Sequence, residues 1–467
     1  MLAYGMMFAA LLGSPRDPAT IPPAERIAYV NKLTDRLSGI NAYRDYARAQ
    51  DSYVAVYELS MDAPTEAARK ACDHVDRQLS AFALAERWSS DETHVIREWL
   101  KANKPTLESL KKATKRKRYF HPLDPHGGRL HAVVVDSTGV ELMQFSKLCA
   151  IAANNHALRG EWKQAYEWNL RMHIIADHIC QQPFVIQHLV SMGIERIACQ
   201  QSLHFFQRQF AKNATAFLQG MSVRDDLRCP AALTDEAEKL WSRDYIEAWH
   251  EWAQDPQKHP DLAETAETWL AGNDLLEEES GFFGDSPFVS VEALREALRA
   301  SSVEKEWHVS LRADALVSKW CALPFHKAWK EAGEFEREYC DVILEAPSLG
   351  AFGCGALASS QPRLLRTETA AHRSAVACIV AILEFRNDES RLPKRLDELV
   401  PRFLNTAPID VYSGRPFVYR VNKDGNGFVL YSVGGDQDDD GGKHTDDTRG
   451  DGDRVFWPPP VVTVDNG

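Results

Sequence analysis

From Pro23 to about Leu344 the chain carries one periodicity almost throughout. Apolar residues return at three- and four-residue spacings in "PAERIAYVNKLTDRLSGINAYRDYARAQDSYVAVYELSM", "AARKACDHVDRQLSAFALAERW" and "SSDETHVIREWLKANKPTLESLKKATKRK". That spacing places them on one face of an α-helix. Strand alternation is nearly absent here; "RLHAVVVDS" reads as a short extended piece or a loop. Ser90, followed by Glu92 and Thr93, gives one helix a capped start. Helices with a single apolar face can bury it only against other helices. The expectation is a mainly α protein with a solenoid-like body of stacked hairpins.

One joint, Gly160 and Trp162 with Ala165, resembles the turn inside a tetratricopeptide repeat, although no regular period accompanies it. Residues 253–290 contain breakers and an acidic cluster and read as a long loop with one short helix. "EAPSLGAFGCGALASSQPR" is rich in Gly, Ala and Ser and reads as a flexible joint. Its glycines lack a nucleotide-binding spacing and no strand precedes them. The chain then divides into an apolar N-terminal segment and linker (1–22), a helical body (23–344), the joint (345–362) and a C-terminal module (363–467).

The module changes period. "LLRTETAAHRSAVACIVAILEFRNDES" reads as one helix and "RLPKRLDELVPRFLNTAP" as a short helix and turn. "RPFVYRV" and "GFVLYSVG" alternate as strands around the turn "NKDGN", and "RVFW" is a third strand. A helix plus a three-stranded antiparallel sheet makes a small α+β unit.

Between the second and third strands lie eight aspartates, from Asp436 to Asp453, against Lys443 and Arg449. Carboxylates this close repel one another. Either the stretch is a solvated acidic loop, or a hard cation reverses the repulsion. Asp436-Gln-Asp438-Asp-Asp440-Gly441 follows the first half of a twelve-residue calcium loop, and Asp447 falls at its twelfth position. The flanks, however, are strands rather than helices. Ca²⁺ is therefore the expected cofactor, held by oxygens from the 432–453 stretch. Asp436, Asp438, Asp440 and Asp447 are the first candidates, with Ser432, Asp446, Asp451 and Asp453 as further candidates.

The order of these segments resembles the globular part of the type II secretion major pseudopilin. Pro393 with Leu396, then Asp410, Gly414, Pro416 and Tyr419, then Ser432, Gly434 and Asp436 stand where that family has its motif residues. The "DVYSGRP" segment is longer than the family's, and the loop is richer in Asp. The resemblance covers about the last 105 residues and implies a long helix, a small sheet and a calcium-holding loop. The whole chain also resembles large uncharacterised bacterial proteins with this tail, and that resemblance carries no activity.

Elsewhere the chemistry is sparse. His121, His126 and His131 follow one another at five-residue steps with Asp124 among them, a spacing that suits neither a helix face nor a strand face. His173 and Asp177 share a helix face at i, i+4, where a local hydrogen bond is expected; His178 comes next. No metalloprotease, nucleophile-elbow or phosphate-loop motif occurs. Trp241, Trp249 and Trp252 read as core. Nine cysteines without a CxxC pair read as buried thiols rather than a disulfide framework. A net charge of −13 argues against nucleic acid. The basic run Lys111, Lys112, Lys115 to Arg118 reads as a solvated helix end. Leu2–Leu12 is too short to span a bilayer and reads as the remnant of a signal or anchor, with an N-terminal membrane association, or else as the first turns of a packed helix.

The expected function is that of a non-catalytic interaction or scaffold protein of a bacterial envelope or exported compartment, with an unidentified protein partner; a cytoplasmic location is the alternative. A hydrolase using His121, His126 and Asp124 in a helical groove is the second reading. A subunit related to secretion filaments is the third.

Overall fold

The computed structural model describes residues 17–35, 41–61, 63, 65–136, 140–209, 229, 231–267, 288, 290–351, 360–447 and 450–461. Leu2–Leu12, the middle of the expected joint (352–359) and most of the expected acidic loop after Glu267 lie outside them. Eleven of the helices position the functional groups. They are α1 (Pro23–Asp35), α2 (Tyr43–Asp51), α3 (Ser90–Ala102), α4 (Lys104–Ala113), α5 (Leu130–Asp136) and α6 (Val140–Leu158). Then come α7 (Trp162–Ile179), α8 (Val185–Arg208), α9 (Ala231–Gln254), α10 (Val303–Cys321) and α11 (Ser360–Glu389). The protein is mainly α, as the periodicity implies.

Local chemistry accounts for the boundaries. The cap of α3 is Ser89, one residue before the expected Ser90. Its hydroxyl accepts from the Glu92 amide at 3.3 Å, and the Glu92 carboxylate accepts from the Ser89 amide at 2.6 Å. Within "RLHAVVVDS", Leu130–Asp136 is helical rather than extended. Its valines favour strands, but Leu130, Val133 and Val134 at i, i+3, i+4 enter one apolar cluster with Ile27, Val30, Ala237 and Leu240. Tertiary burial outweighs propensity there. Gly160 turns the chain between α6 and α7 with φ +75°, a left-handed conformation suited to glycine. Helices α7 and α8 run antiparallel. Asn169 donates to the Ala198 carbonyl at 3.0 Å, and Ser191 donates to the Ala176 carbonyl at 2.8 Å.

The tail is a meander, β1 (Val418–Val421), β2 (Phe428–Ser432) and β3 (Arg454–Trp457), in the order β1-β2-β3 and antiparallel throughout. The Asn422 amide donates to the Gly427 carbonyl and closes the hairpin. The sheet lies on α11, where Phe456 meets His372 edge-on at 5.1 Å. Residues Ala375, Val376, Ile379, Ile382 and Leu383 of α11 are fully buried.

One apolar cluster runs from Ala42, Trp99, Phe145, Ile175 and Ile194 through Ile379 to Leu430 and Phe456. The expected boundary at 345–362 therefore separates chain segments that share a core. Charged groups cross the same junction. Arg373 of α11 sits 3.2 Å from Glu195 of α8. Glu368 of α11 takes Arg196 of α8 at 3.6 Å and Arg454 of β3 at 3.3 Å. A second cluster gathers on α9, where Trp249 and Trp252 are buried against Leu262, Leu294 and Leu298, the core role their spacing implies. The eight described cysteines are free thiols, five of them buried.

This packing can be tested in two ways. A protease site placed within 352–359 and then cut should leave two pieces that co-elute under native conditions, because α8 and α11 bury against each other. Separate elution of two folded fragments would make the tail autonomous. The second test concerns Glu238 of α9, which accepts from the Val185 amide at 2.6 Å. Burial and then the Asp314 charge push its carboxyl up to about 7, the Val185 bond opposing them; burial likewise pushes Asp314 up to about 6. Both groups hold protons more tightly folded than unfolded. Their stabilising contribution is present at low pH and is lost as pH rises from the usual carboxylate range to about 7. The fall in thermal midpoint between pH 5 and pH 8 should shrink in Glu238→Gln, which keeps the acceptor oxygen.

Candidate metal centre

The loop between β2 and β3 begins with a side chain turned inward. The Ser432 hydroxyl donates to Asp410 at 2.8 Å and accepts the Gly434 amide at 3.1 Å. Ser432 and Asp410 are both buried. The Ser432 hydroxyl, one of the further candidate ligands, is thus engaged with the interior. At Gly434, φ is +72°, and a Cβ would stand 2.5 Å from the Gly452 carbonyl oxygen. Only glycine lets the outgoing and returning arms approach this closely.

The arms are pinned by backbone bonds. The Asp453 amide donates to the Lys443 carbonyl at 2.8 Å, and the Thr445 amide to the Asp453 carbonyl at 3.0 Å. Asp436 also spans them, its Oδ2 accepting from the Gly452 amide at 2.8 Å. With the arms held so, Asp436, Asp438, Asp440 and Asp451 each offer a carboxylate oxygen, all within 4.8 Å of one another. Three of the four are first candidates of the sequence pattern. The fourth is Asp451 rather than Asp447. The grouping departs from the twelve-position template: strands flank this loop and the chain returns through Gly452.

Asp453 is fully buried beside this group. Its Oδ2 accepts from the Gly442 amide at 2.6 Å, and its Oδ1 has no hydrogen-bond partner. Asp440 Oδ2 is likewise buried and without a partner. Burial, then the charges of Asp451, Asp438 and Asp436, push the Asp440 carboxyl up. Burial and the neighbouring Asp439 and Asp440 charges raise Asp453, against its backbone hydrogen bonds. Orphaned acceptors facing like charge are the situation a cation relieves.

The remaining aspartates are otherwise engaged. Asp439 accepts from the Tyr431 hydroxyl at 2.7 Å and from Arg420 at 2.9 Å, and the Tyr431 bond holds it below the usual range. Asp446 faces Arg454 and His444, each at 3.3 Å. Asp447 lies outside the four-carboxylate group; its amide donates to Thr445 Oγ1 and its carboxylate lies against Gly450.

A second donor group among the described residues is His173, Glu195 and Cys199, all buried. His173 bonds Glu195 of the next helix at 2.9 Å, where the sequence spacing points to Asp177 within its own helix. Arg373 already neutralises Glu195, and burial pushes the Cys199 thiol well up. This group is an ion-paired clasp between α7, α8 and α11. His178 bonds Tyr46 at 2.8 Å.

His121 stacks on Tyr43 at 4.8 Å, and His126 is exposed with its amide on Asp124 of the same turn. His131 goes to the interior and bonds Asp244 at 2.8 Å. The basic run is the expected solvated helix end: Lys111 pairs with Glu108, and Arg116 pairs with Asp45.

No family model, curated protein or solved structure matches the chain.

A donor set made only of carboxylate oxygens, on a glycine-bearing loop, suits a hard divalent ion such as Ca²⁺. Asp453→Asn tests the buried orphan. The amide oxygen can still accept from Gly442, so the metal-free protein should melt at the same temperature or higher. Its calcium affinity should fall about tenfold or more, read by titration calorimetry.

Proposed function

We propose that the C-terminal module binds one Ca²⁺ through Asp436, Asp438, Asp440 and Asp451, with Asp453 beneath them. The convergence of those four carboxylates beside a buried, unpartnered Asp453 oxygen carries the reading. The ion neutralises a repelling cluster and fixes the loop that joins β2 to β3. Magnesium competes poorly, because it demands a tight octahedron and gives up its waters reluctantly.

On this reading the chain is a non-catalytic interaction or scaffold protein, with a helical body for a protein partner and a calcium-stabilised tail. The likeness of the tail's segment order to the major pseudopilin supports an envelope or exported setting. Among the described residues no helix is long and apolar enough to cross a membrane. The second reading, a hydrolase using His121, His126 and Asp124, has less to rest on: His121 stacks on Tyr43, and His126 meets Asp124 through its backbone amide.

The test is thermal melting of the full chain with calcium and then with chelator, alongside titration calorimetry. At calcium near 100 times the dissociation constant, linkage alone adds about 2.7 kcal/mol. The pair Asp436→Ala and Asp438→Ala should remove that gain. Coincident melting curves and no calcium heat would reduce the loop to an acidic surface feature.

A further inference from the structure

Three alternate aspartates of the loop, Asp436, Asp438 and Asp440, converge on one another, and two residues stand between them in the chain. Neither Gln437 nor Asp439 belongs to the carboxylate group. Asp439 goes to the sheet, accepting from Tyr431 of β2 at 2.7 Å and from Arg420 of β1 at 2.9 Å. Gln437 goes to the helical body, where its Nε2 donates to the His326 carbonyl at 3.3 Å. It does so from φ +68°, a left-handed conformation that a residue with a side chain holds only where its surroundings fix it. Alternate residues thus gather the carboxylates, and those between them tie the loop to two different parts of the fold.

His326 sits in a short helix, Phe325–Ala328, which follows α10 in the body. That helix rests on the turn that also holds the base of the aspartate loop. Phe325 is buried and meets Tyr412 edge-on at 5.2 Å. The His326 ring lies against Gly414, where a Cβ would stand 2.9 Å from its Nδ1. Asp410 accepts from the Tyr412 amide at 3.0 Å and from Ser413 Oγ at 2.9 Å, and its Oδ1 also takes the Ser432 hydroxyl at 2.8 Å. These contacts do not involve the four gathered aspartates. The Gln437 bond differs, because Asp436 and Asp438 flank it in the chain. Without a cation those carboxylates repel one another and work against the backbone between them. A cation held by both fixes that backbone, and the Gln437 amide then meets the His326 carbonyl with little further loss of conformational freedom.

We propose that calcium binding to the loop is coupled to the seating of the Phe325–Ala328 helix on the tail, with Gln437 as the positioning residue that joins them. This coupling rests on the calcium reading of the loop and adds its regulation: occupancy of the site is passed to the helical body. It is reciprocal, so the helix favours calcium by the factor by which calcium favours the helix. One hydrogen bond of ordinary net strength sets that factor at roughly two- to tenfold.

The experiment is hydrogen exchange of the full chain, read by mass spectrometry on peptides covering 433–447 and 322–331, in saturating calcium and then in chelator. Titration calorimetry on the same samples reads binding itself. In the wild-type chain calcium should slow exchange in both peptides. Gln437→Ala should keep the slowing in the loop and lose it in 322–331, and its calcium affinity should fall roughly two- to tenfold. Gln437→Gly takes the left-handed φ without strain, which separates the side chain from the backbone, and it too should lose the response in 322–331. Calcium heat and a protected loop, with exchange at 322–331 unchanged in the wild-type chain, would overturn the coupling and leave the calcium reading standing. A full calcium response at 322–331 in both variants would overturn the role of Gln437. No calcium heat on the wild-type chain would overturn both readings.

Discussion

Glu368 is the charge on which the join between body and tail turns. It is 2% exposed and takes guanidinium groups from two directions, Arg196 on α8 and Arg454 on β3. A carboxylate withdrawn from water this far is tolerated only because it is paired. Arg454 reaches the other way as well, donating to the Thr445 carbonyl at 2.7 Å inside the aspartate loop. A single line of charge therefore runs from the loop through β3 and α11 to α8. Arg373 and Glu195 repeat the device further along α11. These contacts fix the orientation of a helix whose apolar face alone would tolerate sliding.

Much of the fold is legible in the sequence, because it rests on periodicity. The helical body, the hairpin with its "NKDGN" turn and the third strand all arise from apolar spacing and turn residues. Two local readings fail for identifiable reasons. Ser90 loses the cap to Ser89 because the capping box counts three residues back from Glu92. Residues 130–136 read as extended because valine runs favour strands, whereas α1 and α9 supply the apolar partners that make the helix.

The site is half legible. Asp436, Asp438 and Asp440 are named by their alternate spacing. Asp451 is not, because it arrives through the approach of Gly434 to Gly452, a tertiary event without a sequence spacing. Asp453 looks in the sequence like any other acid of the cluster, and its burial is a property of β3. The same limit hides the partner of His131: Asp244 lies 113 residues away, and no local pattern joins them. Motifs reveal ligands that are neighbours in the chain; carboxylates that meet a histidine across helices need the packing first.

The chain holds free cysteines at its described positions, most of them sealed in apolar surroundings. Its exposed C-terminal loop is instead gathered by carboxylates spanning Asp436 to Asp451. An ion bound there ties distant points of the backbone together, as a covalent bridge would, but reversibly and by charge alone. Such a clasp is indifferent to reductants and sensitive to acid and to competing chelators. On the proposed calcium binding, the integrity of the loop would report the mineral content of its surroundings, and their redox state would leave it untouched.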